Sequence, residues 1–379
     1  MAKLNSKERV NRALNFMETD RVPIDMGAGI SSNITIGAYK NLKKFLGIDS
    51  PTEILEKTFG IANVEESVFI KLDTDFRRVN GHALPDGYFP DPNTFIDEWG
   101  VKFIRPEGGE YFDSISAPLK DADVEDLEKY PWPDPEKTEI LSGLEKLAKD
   151  AAESPFASIG SPFPFSRVFE QAHFLRGFQQ FLIDLMSEKE FAHALLRKIV
   201  DVQKKRWGLY LRETGKYVDV VRVGDDVAMQ SGPLMSPGVY REMVKPYHKE
   251  LFQFIKEHTD AKLLYHCCGD VTKLIDDFIE IGVDILNPVQ VSASNMDTKI
   301  LKEKYHGKIV FWGAVDSQKV LPSGTEDDVR AEVRKRIDDL AEGGGFVLSA
   351  VHNIQSDVPP ENIVAMIDEA HRYTGIRAE

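Results

Sequence analysis

The chain has 379 residues, 42% hydrophobic and 29% charged, the balance of an ordinary globular protein. Its net charge of −15 excludes a general nucleic-acid role, because phosphate binding needs a basic footprint. Two cysteines, adjacent at Cys267 and Cys268, exclude a disulfide framework, and no apolar run reaches the roughly 18 residues that would suggest a membrane span.

The N-terminal stretch "MAKLNSKERVNRALNFM" lacks the apolar core of a signal peptide, so a cytoplasmic protein is expected. Asn5 or Ser6 is a candidate N-cap, and Val10, Ala13, Leu14 and Met17 recur at helical spacing. A break before Pro23 leads into a short strand, "VPIDM", and residues 32–46 read as a helix ending at Gly47. Residues 81–136 differ in character. Within them, "DEWGVKFIRPEGGEYFDSIS" carries a Gly-Gly turn between alternating segments, so a β-hairpin excursion is expected, followed by an acidic, proline-broken connection.

From residue 150 onward, apolar β-type runs alternate with helix-periodic segments. The runs are 156–162, 218–226, 262–269, 283–290, 309–316 and 345–352. With "VPIDM" and 73–79 they make eight strands. Such alternation means a parallel sheet with helical crossovers. A distorted (β/α)8 TIM barrel with an N-terminal helical segment and a hairpin insertion, one domain over 1–379, is the economical expectation. An open doubly wound sheet is disfavoured because the early βα turns lack G-x-G-x-x-G.

In a barrel the active groups sit where strands end. Those ends read Asp225 and Asp226, His266 and Cys268, Asn287 and Gln290, Asp316, and His352. In an extended strand end, residues i and i+2 share a face, so His266 and Cys268 point to the mouth together and Cys267 points away. With His352 as a third donor they form a zinc-type N/S set that leaves one position open, as catalytic zinc does. The bland reading is about equally weighted: a hydrogen-bonded histidine and a buried, inert cysteine. Asp225 and Asp226 are either proton-handling groups or loop caps, with one of the two facing the cavity. The aromatic run "SPFPFSRVFEQAHFLRGF" is either a pocket wall or core.

The segments "DRVPIDM", "DEWGV", "SPGVYREMVKPYHKEL", "HCCGDV", "GVDILNPVQ", "FWGAVDSQKVLP" and "GGGFVLSAVHNIQSDVPPENIVAM" together resemble the uroporphyrinogen decarboxylase superfamily over nearly the whole chain. The true decarboxylases have an arginine-rich segment soon after the N-terminal R-x-P. Here that segment is "DMGAGISSNITIGAY", without arginine, so a tetracarboxylate-rich substrate finds too few cations. The chain is more similar to the zinc-dependent, corrinoid-linked methyltransferases, whose H-x-C matches His266 and Cys268. Their second cysteine falls where this sequence has His352. The resemblance implies transfer of a methyl group between a small methylated substrate, such as a methoxylated aromatic, and the cobalt of a corrinoid (cobalamin) on a separate partner protein. Asp225, Asn287, Gln290, Asp316 and Gln355 are the candidates for substrate orientation or ligand support. Two rivals remain: a metal-free lyase or decarboxylase on a small carboxylated substrate, with Asp225 or Asp226 handling protons, and a barrel that binds without chemistry.

Overall fold

Seven short strands, each almost wholly buried, line up in parallel in chain order in the computed structural model, which describes residues 3–82, 88–137, 141–162 and 166–374. They are β1 (Phe76–Asn80), β2 (Ala157–Ser161), β3 (Val220–Gly224), β4 (Lys262–His266), β5 (Ile285–Val289), β6 (Val310–Val315) and β7 (Phe346–Ala350). Burial on both faces is why they read as continuous apolar runs rather than alternating ones. The eighth stave is the segment around Ile24. It bridges Leu348 in parallel, and Asp25 N–H donates to the Leu348 carbonyl at 3.0 Å. On its other side, Asp75 N–H donates to the Ile24 carbonyl at 3.0 Å. These contacts join the two edges of the sheet into a (β/α)8 barrel, and all eight expected strands are present.

One parity of each strand faces the barrel interior. Phe76, Ala157, Ile159, Val220, Leu264, Ile285, Val310, Trp312 and Val347 pack there as one buried cluster, joined by Val10 and Leu14. Those two come from the helix Ser6–Leu14, which therefore packs against the interior cluster. Asn5 caps that helix with a reciprocal bond from Glu8, while Met17 lies past its end and is exposed. The next helix is shorter than the spacing suggests. It runs Ile36–Leu46 and does end at Gly47 in the left-handed region, but residues 32–35 are not helical. Ile34 instead bridges Ile354, and tertiary pairing overrides local periodicity there.

The excursion is a three-stranded antiparallel sheet of Thr94–Ile96, Lys102–Ile104 and Asp113–Ser114. Phe95 sits opposite Phe103, and the expected Gly108–Gly109 turn joins the second strand to the third. Residues 83–87 of the excursion lie outside the described residues. No helix among the described residues is long and apolar enough to cross a membrane.

Candidate metal centre

The inward parity of β4 runs through Leu264 to His266 and continues past the strand end to Cys268. Cys267 takes the other face. It is fully buried in the outer core, and its sulfur accepts the Val227 N–H at 3.4 Å. His352 follows β7, three strands away around the barrel, and the closure of the sheet carries it across to β4. The ligand atoms of His266, Cys268 and His352 all lie within 4.8 Å of one another. Cys268 Sγ is 3.5 Å from His266 Nε2, and the two imidazole centroids are 5.5 Å apart. Strand alternation thus yields the pair, and barrel closure yields the third donor.

Neighbours hold these groups in place. His266 Nδ1 lies 2.5 Å from Asn287 Oδ1, and Asn287 Nδ2 donates to the Trp312 carbonyl at 3.2 Å. The backbone N–H of Cys268 donates to Asp226 Oδ1 at 2.8 Å, and that of Gly269 to Gln290 Oε1 at 2.7 Å. Burial, aided by the Arg222 charge, pushes His266 well below the usual imidazole range and His352 down to about 4. Both rings are therefore neutral with a lone pair to give. Burial and the Asp226 carboxylate push the Cys268 thiol well up, so a cation is what would hold it as thiolate. Two imidazoles and one ionisable thiol are a donor set that suits zinc.

His266 and His352 border a cavity of ≈ 290 Å³ at the barrel mouth, with Cys268 beside them. Phe95, Phe103, Tyr111 and Phe112 of the excursion line it, with Phe59 and Phe174, so the insertion forms one wall. Tyr111 meets His352 edge-on with centroids 6.3 Å apart. The polar lining includes groups that strand-end reasoning missed: Arg167, Glu170 and Arg222. Arg222 is an inward residue of β3, two positions above Val220, and the signal for it was a charge inside the valine run "VVRVG". Arg167 is 3.4 Å from Glu170 and lies over the rings of Phe59 and Phe174. The cavity is thus supplied with cations from other parts of the chain, which corrects the inference drawn from the arginine-free segment 25–39. Of the aromatic run, Ser166, Arg167, Glu170 and Phe174 reach the cavity, while 163–165 lie outside the described residues.

The two aspartates divide their roles. Asp226 faces the cavity, where burial raises its carboxyl to about 6. Asp225 is turned away and fully engaged. It accepts backbone N–H groups of Val168, Phe169 and Glu170 at 2.6–3.0 Å, and His248 Nε2 lies 2.7 Å from it. It caps the helix Phe169–Arg176 and does not line the cavity, so it is not placed for the proton-handling role expected of it, whereas Asp226 and Glu170 do line the cavity. Asn287 and Gln290 support the ligand loop and do not line the cavity. Asp316 caps its own turn, accepting Gln318 and Lys319 N–H groups at 2.8 and 3.2 Å. Gln355 is exposed, and neither it nor Asp316 lines the cavity.

Comparison with known proteins gives a consistent family. The family model described as uroporphyrinogen decarboxylase matches residues 88–373. A uroporphyrinogen decarboxylase from Legionella pneumophila is 24% identical over 294 residues, 76% of this chain and 78% of that protein. One from Sulfurovum sp. is 24% identical over 296 residues, 76% and 79% of the two chains. Among solved structures, a methyltransferase from Methanosarcina mazei superposes with a TM-score of 0.68 at 17% identity, covering 98% of this chain and 99% of that one. At that identity the likeness speaks for the fold.

Proposed function

The chain belongs to the uroporphyrinogen decarboxylase family, and from that premise we propose that it is a zinc-dependent methyltransferase of the cytoplasm. It moves a methyl group between a small methylated substrate, a methoxylated aromatic fitting best, and the cobalt of a corrinoid held by a separate partner protein. The observation that carries this reading is the convergence of His266, Cys268 and His352 within 4.8 Å beside an aromatic-walled cavity. The fold likeness to a protein named as a methyltransferase supports it. So does size: ≈ 290 Å³ suits one substituted ring, just under the roughly 300 Å³ where pockets for drug-sized ligands begin. A tetrapyrrole with carboxylate arms on every ring needs far more room.

His266, Cys268 and His352 would hold the metal, which when bound supplies a Lewis acid toward an oxygen of the substrate; the corrinoid supplies the methyl carrier. The remaining work belongs to the chain. Phe59, Phe95, Phe103, Phe112 and Phe174 sandwich the ring and exclude water. Burial holds the Glu170 carboxyl at about 8, so at neutral pH it carries a proton it can pass to the oxygen that loses its methyl group. Arg167, beside Glu170, sets where that carboxyl points. The second reading, a metal-free lyase on a small acid, draws support from the same Glu170 and Asp226 pair.

Metal analysis of the purified protein separates the two. The methyltransferase reading expects close to one zinc per chain, lost in Cys268→Ala and in His352→Ala. Incubation with cob(I)alamin and methoxylated aromatics should then give the visible spectrum of methylcobalamin. Zinc unchanged in His352→Ala overturns the ligand set, and no transfer from any such donor favours the lyase.

A further inference from the structure

Arg222 rises from β3 into the cavity, and two features of the fold make room for it. Its register partner on β4 is Leu264, one layer below the metal-ligand layer, where His266 sits opposite Gly224. Gly224 carries no side chain because the space is taken: a Cβ there would stand 2.5 Å from Arg222 Nη2 and 2.9 Å from its Cζ. An arginine threaded past a glycine in a barrel interior is held where its guanidinium borders the cavity.

Its electrostatic position is unusual. Among the described residues, the contact found for the guanidinium is Nη2 donating to Ser31 Oγ at 2.5 Å, and Nε, shut off from solvent, has no hydrogen-bond partner. No carboxylate of the described residues comes within ion-pair distance of it; the Asp226 carboxylate attracts it from farther away. Burial, with Arg167 nearby, lowers even this group to about 10. Arg222 is half-buried; drawing a guanidinium even partly out of water with no counter-ion in contact is costly, and its planar fork is shaped to hold a carboxylate with two bonds. The other occupants of the cavity neutralise it only in part. Asp226, raised to about 6, is largely ionised at neutral pH but stands beyond ion-pair distance. Burial and the neighbouring carboxylates favour the protonated form of Glu170, and a dication on two imidazoles and one thiolate would leave a further positive charge.

We propose that Arg222 anchors a carboxylate of the substrate, so that the methyl donor or acceptor is a single-ring aromatic acid and not a neutral ether. This rests on the methyltransferase reading for the chemistry but not for the binding. A charge needed only for an oxyanion formed during the reaction would leave the resting cation unneutralised. A substrate that arrives charged supplies the counter-ion from the start. The ring lies against the phenylalanine walls, and its carboxylate takes the open edge of the fork.

The test is equilibrium binding by titration calorimetry on the zinc-loaded protein, with 2-, 3- and 4-methoxybenzoate against the corresponding neutral methoxytoluenes. At least one acid should bind roughly 100-fold tighter than its neutral counterpart. Arg222→Met should erase that preference while leaving zinc content and affinity for the neutral compounds within about threefold. Ser31→Ala, which removes the hydroxyl that holds Nη2 in place, should weaken acid binding several-fold by letting the guanidinium swing, and serves if Arg222→Met fails to fold. Equal binding of acids and neutral ethers overturns the proposal, as does an acid preference that survives Arg222→Met. Unchanged affinity with slower methyl transfer in Arg222→Met also overturns it, since the arginine would then serve only the developing oxyanion. The function and the anchor fail separately. Arg222-dependent acid binding without methyl transfer supports the anchor and sinks the methyltransferase. Transfer from neutral ethers as fast as from acids does the reverse.

Discussion

His266 and Asn287 meet through a 2.5 Å contact between Nδ1 and Oδ1, and this bond decides which imidazole nitrogen is free. The Asn287 amide nitrogen faces the Trp312 carbonyl, which can only accept, so the oxygen must face the histidine. Nδ1 therefore carries the proton and Nε2 presents its lone pair beside the Cys268 sulfur. Groups of this kind behind a metal-bound histidine typically account for about 10- to 100-fold in affinity. Asn287→Ala should weaken zinc binding by that factor in competition with a chromophoric chelator, and Asn287→Asp, which keeps the acceptor, should not. Wild-type affinity in Asn287→Ala would mean that the ring is held by packing alone.

Asp225 makes a contrasting prediction. It is fully buried, and its oxygens satisfy three backbone N–H groups and His248. Removing a buried, hydrogen-bonded charge costs about 3–5 kcal/mol. Asp225→Ala should lose about that much in urea unfolding, with zinc content of the folded protein unchanged. Asp226→Ala, which gives up one bond from Cys268 N–H, should be much milder. Equal losses in the two variants would contradict the division of roles.

The two aspartates also mark how far the sequence could be read. The eight strands were legible because a parallel barrel buries both faces of each one, leaving apolar runs that end on polar residues. The pairing of His266 with Cys268 followed from the two-residue period of a strand. Which aspartate faces inward did not follow, because it depends on the helix Phe169–Arg176 arriving with unpaired N–H groups more than fifty residues upstream. Arg167 and Glu170 were hidden for the same reason, since they lie on that arriving segment and not at a strand end. Arg222 carried a local signal, a charge at an inward position followed two residues later by glycine. Its meaning appears only once the space over Gly224 is seen to be filled.

Acid stability should report on the helix that packs against the barrel interior. Arg9 bonds Asp20 and Asp75 at 2.7 Å each, tying that helix to the start of β1. Burial alone would raise the Asp20 carboxyl, but the Arg9 bond and the Leu4 and Arg21 N–H groups outweigh it and bring it from 3.8 to about 2. A carboxyl depressed in the folded state stabilises above its unfolded value and loses that contribution as pH falls toward its folded one. Wild type should thus lose about 1 kcal/mol from this group between pH 4 and pH 2, solvent screening included. Arg9→Met should be less stable at neutral pH and show a flatter acid limb. A parallel limb would assign the acid sensitivity elsewhere.

Glu170 has the opposite sign. Burial, reinforced by Asp226 and Asp225 and opposed by Arg167, raises its carboxyl from 4.5 to about 8. The folded protein therefore keeps a proton that the unfolded chain releases, and stability falls as pH rises from about 4.5 through 8. Above that range a new negative charge sits in the cavity beside Arg167, which lowers the pull on an anionic ligand. Glu170→Gln holds the neutral form at every pH. Its urea midpoint should fall less than that of wild type between pH 5 and pH 9, and its affinity for methoxybenzoates should stay level where wild type loses several-fold above pH 8. The stability arm does not depend on any ligand or metal, so it can fail by itself. Matching slopes for the two proteins would mean that Glu170 is ionised throughout and cannot be the resident proton donor of this cavity.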